Sequence, residues 1–129
     1  LKPPSISALD LLEEVRFESG LALASVFSFR RNDMDTSKEE FSKSCLFGLR
    51  CLVILEVKQF PYSFEQIHRS FSLLKIDAYK DLINNAFEIR KGGEMQEHYV
   101  YQNISFLNQV VKRKILEKIR AEGSPALIN

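Results

Sequence analysis

Few side chains in this sequence are spaced for chemistry. Two thiols, Cys45 and Cys51, fall in one helical run six residues apart. On a helix that spacing is roughly 9 Å along the axis and about 120° around it, whereas a disulfide brings its Cα atoms within about 7 Å. Both thiols therefore read as small buried hydrophobes in a reducing, intracellular compartment. His68 and His98 complete no zinc spacing with them, so no metal is expected. His68 sits on an amphipathic run and reads as a surface or core-edge residue. The pairs Glu13 with Glu14 and Glu39 with Glu40 are adjacent in sequence. A helix turns adjacent residues to different faces, so neither pair is read as a dyad. There is no Gly-x-Ser-x-Gly elbow, no HExxH and no phosphate-cradling glycine loop, and Gly92 with Gly93 writes only a turn. No catalytic residue is assigned, no cofactor or small-molecule ligand is expected, and the chain reads as a non-enzyme.

One basic run stands out: Lys112, Arg113, Lys114, Lys118 and Arg120 against Glu117. Such a cluster can meet phosphates or an acidic protein. Helical spacing spreads the five charges around most of the circumference, which favours a solvated face with snorkelling stems. The net charge of +1 argues against a chain whose main task is neutralising phosphates. With 129 residues, 45% of them hydrophobic, the chain has one domain's length and enough apolar surface to exclude disorder. Its longest uninterrupted apolar run, "CLVIL", is too short to cross a bilayer, and no signal peptide is written. A start at Leu1 is read as a fragment of a larger protein, which leaves room for targeting signals outside it.

These residues need elements to hold them. After a break at Pro3 and Pro4, Ser5 or Ser7 is expected to cap an N-terminal helical extension over residues 5–31, as one long helix or two nearly collinear ones through Ser19 and Gly20. Thr36 with Glu39 three residues on writes a capping box. The helix it opens runs toward Gln59 and is apolar nearly all round from Cys45 to Leu55, so it is the central helix. Gly48 in it marks either a close helix approach or a tolerated glycine. Ser63, with Gln66 in the box position, caps a short helix, and Asp77 caps a second one ended by Gly92 and Gly93. "EHYVYQNIS" is rich in Tyr, Val and Ile and reads as a strand. Ser105 is expected to cap a C-terminal helix over 105–123, with Leu107, Val111, Ile115 and Ile119 at four-residue steps and Gly123 closing it. "SPALIN" reads as a tail.

The order from Lys38 to Gln102 is long helix, extended link, short helix, second helix, Gly-Gly turn and strand. It resembles the winged-helix group, and replication-initiator and chromatin-silencing modules are the nearest analogues. The resemblance implies a mainly α fold with a small β component: a winged-helix-like core over 37–104 with helical extensions at both ends. It also implies a nuclear setting. Carried over, the recognition helix would present Lys80, Arg90 and Lys91, joined by Lys112, Arg113, Lys114, Lys118 and Arg120 as candidate nucleic-acid contacts. Asp77, Asp81 and Glu88 balance the helix charges, however, and Glu94 and Glu97 make the wing acidic. Asn84 and Asn85 read as solvated rather than base-reading. The preferred reading is a non-catalytic module for homodimerisation or protein docking, through the edge strand at Tyr99, Val100 and Tyr101 and the surplus aromatics Phe17 and Phe29. DNA binding and a plain helical-bundle scaffold without a wing are the alternatives.

Overall fold

Two long antiparallel helices make the frame of the structure, a computed structural model that describes residues 5–128. Helix α1 (Ala8–Arg30) and helix α2 (Met34–Val57) are joined by a three-residue reversal. The break expected at Pro3 and Pro4 lies outside the described residues. Helix α3 (Phe64–Ser70) and helix α4 (Lys80–Arg90) follow, linked by two 3₁₀ turns, Phe71–Leu73 and Asp77–Tyr79. The chain returns as α5 (Glu97–Ser105), a π-helical stretch (Phe106–Lys112) and α6 (Arg113–Glu122). Strand β1 (Ile6–Ser7) pairs antiparallel with β2 (Ala126–Ile128), Ile6 opposite Ile128. Fold class is thus mainly helical with a small sheet.

Helix α1 starts where a reciprocal cap can form. The Ser7 hydroxyl accepts from the Asp10 amide at 3.3 Å, and the Asp10 carboxylate accepts from the Ser7 amide at 2.8 Å. Two more free amides are met by the far end of the chain: Ala8 donates to the Pro125 carbonyl and Leu9 to the Ser124 hydroxyl, both at 3.2 Å. Within the segment expected to be a tail, Ser124 and Pro125 thus cap α1, and β2 follows them and buries Leu127 and Ile128. Ser19 and Gly20 do not break α1. Packing of its inner face (Leu11, Val15, Ala22, Val26) outweighs the helix cost of one glycine, about 1 kcal/mol.

Helix α2 begins earlier than the Thr36 box implied. Asn32 takes a left-handed turn, and the Asp33 carboxylate then accepts from the Thr36 amide at 3.3 Å. A carboxylate at the positive end of a helix displaces the hydroxyl cap three residues on. Glu39 is freed from capping and turns to Lys43 and Arg90 instead. From Cys45 to Leu55 only Phe47 and Arg50 are even partly exposed, as befits the central helix. A side chain at Gly48 would overlap Leu107, so this glycine does mark a close approach. Ser63 caps α3 as expected, its hydroxyl accepting from the Gln66 amide at 3.1 Å.

The largest correction concerns "EHYVYQNIS". It is helix α5, not a strand, so no wing edge stands at Tyr99 to Tyr101. Val100 and Asn103 are buried, followed by Phe106, Leu107, Val110 and Val111. That three-to-four-residue repeat continues into α6, and burial at helical period overrides the β-propensity of Tyr, Val and Ile. Ser105 consequently lies inside a continuous helical run and caps nothing. Asp77 likewise opens a 3₁₀ turn, and α4 starts at Lys80 without a side-chain cap. Gly92, at φ 90°, and Gly123, at φ 75°, end their helices in backbone conformations that suit glycine.

Candidate association face and interhelical cleft

The outer side of α1 is unusually apolar. Leu9, Phe17, Leu23 and Phe27 are 49, 65, 48 and 49% exposed. At helical pitch they fall within about 120° of arc, together with Glu13, Arg16, Gly20 and Ala24. A Cβ at Gly20 would meet nothing, so this face is open at its middle. Its acidic end carries Asp10 and Glu13, its basic end Arg30 and Arg31, all exposed. Neither arginine makes an ion pair among the described residues; Arg30 lies 5.7 Å from the Tyr101 ring centre and Arg31 reaches the Ser28 hydroxyl at 3.4 Å.

The other expected interface residues scatter. Val100 is fully buried, which removes it from any contact surface. Phe29 is half-buried against the core, because α1 turns it toward its neighbours while Phe17 and Phe27 face out. Tyr99 is also half-buried, its ring 3.9 Å from that of His98, and Tyr101 is exposed.

Most of the expected nucleic-acid contacts are engaged within the chain. Arg90 donates to Glu39 at 2.7 Å and lies over the Phe64 ring at 4.7 Å. Lys91 pairs with Glu88 and lies over Phe87. Arg113 pairs with Glu117, Lys114 with Glu56, and Lys118 with Glu122 at 2.7 Å. Lys80, Lys112 and Arg120 make no ion pair among the described residues. Lys112, Arg113 and Arg120 line one 560 Å³ depression with Asn108, Gln109 and Leu116. On the would-be recognition helix, the Asn84 side-chain oxygen accepts from His68 Nε2 at 2.8 Å, and the His68 ring stacks on Phe87 at 4.1 Å. Asn85 bridges to the backbone of Glu94 and Gln96. These asparagines hold the α4 turn rather than standing solvated.

Sequence reading missed the cleft between α1 and α2. Arg50 donates to Glu14 at 3.0 Å and is sandwiched between Phe47, at 4.4 Å, and Phe60, at 5.2 Å. Beside it Glu18 is 1% exposed. Burial, and then hydrogen bonding to Glu14 and its negative charge, raise the Glu18 carboxyl to about 8, with Arg50 pulling the other way. Its Oε1 has no hydrogen-bond partner among the described residues. A signal existed: Glu18 falls in the same buried register as Leu11, Val15 and Ala22, where a carboxylate is out of place. The relevant spacing was four residues, Glu14 with Glu18, not the adjacent Glu13 with Glu14. The thiols behave as expected: Cys45 and Cys51 are buried and free, and burial pushes both well above the usual thiol range.

Among the described residues, no three His, Cys, Asp or Glu side chains are placed to hold a metal ion, and no helix is long and apolar enough to cross a membrane. Comparison of the chain with protein-family models, curated proteins and solved structures finds no match.

Proposed function

We propose that this domain is a non-catalytic association module that pairs with a second copy of itself through the outer face of α1. One observation carries the reading: four large hydrophobic side chains, each about half exposed or more, along one side of a single helix. The charges on the same helix favour a second copy as the partner. An antiparallel pairing that crosses at Gly20 sets Phe17 against Leu23 of the second copy. It also brings Asp10 of each copy level with Arg30 of the other, with Gly20 and Ala24 letting the backbones approach. The contact surface moves from the expected strand to α1, and of the expected aromatics Phe17 stays in it.

Light scattering tests this. The wild-type chain is expected to dimerise with concentration, and Phe17→Glu with Phe27→Glu to give a monomer of unchanged helicity. A wild-type monomer at every concentration would sink the reading.

A second reading, binding to a polyanion such as duplex DNA, is favoured by the Lys112, Arg113 and Arg120 depression alone. It predicts binding that weakens steeply with salt, and no retardation of duplex DNA at low salt would dismiss it. The winged-helix relation, with its nuclear and chromatin-associated setting, now has only the order of α2, α3 and α4 in its support.

A further inference from the structure

Three ionisable side chains meet in the seam between α1 and α2: Glu14 and Glu18, one turn apart on α1, and Arg50 on α2. Arg50 donates to Glu14 at 3.0 Å and is held between the Phe47 and Phe60 rings. Glu18 is buried, and its carboxyl is hydrogen-bonded to that of Glu14. An ionised carboxyl only accepts, so a hydrogen bond between two of them requires one proton. The buried member keeps it, since Glu14 has the guanidinium and is partly exposed to solvent. Glu18 thus sits neutral, with Oε1 lacking a partner among the described residues. A carbonyl oxygen tolerates that far better than an anion does. The seam is also thin. Clefts of 440 and 430 Å³ lie against it, and Glu14, Phe17 and Arg50 line both. The Glu14–Arg50 bridge is the partition between them, with the Cys51 thiol lining the first cleft and Glu18 the second.

We propose that Glu14, Glu18 and Arg50 form a proton-operated latch between α1 and α2: loss of the Glu18 proton releases the seam, and water enters from the two clefts. With the proton in place the seam is closed. Once it leaves, two carboxylates face one guanidinium, and the Glu18 anion has neither a donor for Oε1 nor water. Hydrating that anion requires α1 and α2 to part at Glu14 and Arg50. Parting there joins the two clefts and uncovers Cys51. The latch does not depend on pairing through the outer face of α1.

The closed seam holds the Glu18 carboxyl near 8, against an ordinary 4.5 once it is solvated. Opening therefore releases a proton between those values. The open fraction rises by about tenfold per pH unit in that window and levels off above it, where both states are ionised. Glu14 and Arg50 are the charges that act on Glu18. The other ionisable groups on the two clefts are Asp10 and Glu13 on α1, and Glu39, Glu40, Lys43 and Cys51 on α2. Among the described residues, no charged side chain of α5 or α6 lines either cleft. Hydrogen bonds from Lys43 and then Arg90 hold Glu39 below its ordinary range, and burial lifts Cys51 above its own.

Alkylation of Cys51 reads the opening, and Cys45, fully buried and lining neither cleft, is the control. Trypsin separates the two thiols, because cleavage after Lys43 and Arg50 puts Cys45 in residues 44–50 and Cys51 in residues 51–58. The full chain, at one dilute concentration, is treated with uncharged iodoacetamide across the pH range. Each rate is divided by that of a free cysteine peptide in the same buffer, which removes the pH dependence of the thiol itself. The Cys51 rate is expected to climb about tenfold from pH 6 to pH 7, to flatten above about pH 8, and to exceed that of Cys45 throughout. Glu18→Gln should make the Cys51 rate level with pH. Should that variant fail to fold, Glu14→Gln decides: removing the neighbouring charge lowers the Glu18 carboxyl, so the flattening moves to lower pH. A Cys51 rate without the climb, one no faster than that of Cys45, a climb that persists in Glu18→Gln, or a flattening unmoved in Glu14→Gln would overturn the proposal.

Discussion

Glu18 is the residue whose chemistry departs most from its sequence context. Its folded carboxyl titrates near 8 against an ordinary 4.5, so folding favours the protonated form. Between those values the unfolded chain binds fewer protons than the folded one, and stability falls as pH rises through the window. Glu18→Gln removes that dependence. Unfolding free energies from urea titration should nearly coincide with wild type at pH 5 and exceed it at pH 9, by on the order of a few kcal/mol. Equal midpoints at both pH values would show that Glu18 carries no such penalty. Gly48 makes a steric prediction. Its Cβ position is occupied by Leu107, so Gly48→Ala should destabilise by about 1–3 kcal/mol despite better helix propensity. Gly20→Ala should do the reverse in the monomer, since nothing stands near it, and gain up to about 1 kcal/mol in the same assay. Glu18 was hidden in the sequence because adjacent carboxylates draw the eye while the helix brings together every fourth residue. Gly48 was legible only as an open choice between close approach and tolerance.

The elements were legible wherever local chemistry decided them. Ser7, Ser63, Gly92 and Gly123 mark helix ends through capping and positive-φ chemistry that acts within a few residues. Residues 97–105 were not legible, because two patterns compete there. Tyr99 and Tyr101 repeat at two, while Val100, Asn103 and Leu107 repeat near 3.6, and only burial by α1 and α2 decides. The two assignments predict different mutants. In α5, Val100→Asp places a charge in the core and should cost more than about 3 kcal/mol. Tyr101→Asp lies at the surface and should change stability by less than about 1 kcal/mol. Comparable costs for both, measured by urea unfolding, would contradict the helix. The π-helical stretch at Phe106–Lys112 was equally invisible from sequence. Along it Phe106, Leu107, Val110 and Val111 are all buried.

For the molecule as a whole, the sequence conveyed a mainly helical fold around one central helix. It did not convey that β2 returns to pair with β1 while Ser124 and Pro125 cap α1, since those contacts join residues more than a hundred positions apart. The candidate association face was half legible. Phe17, Phe27 and Phe29 exceed what one helix face can bury, but that Phe29 turns inward while the other two face out depends on how α2 and α5 pack against α1. Leu23 and Leu9 completed the stripe only once that packing was known. Pairing through α1 makes one geometric demand, that two copies cross at Gly20. Gly20→Cys, under mild oxidation and with the buried Cys45 and Cys51 protected, tests it most directly. The account predicts a rapid covalent dimer, faster than for Asp35→Cys, an exposed position off the face. A Gly20→Cys chain that stays monomeric, or links no faster than the Asp35→Cys control, would contradict it.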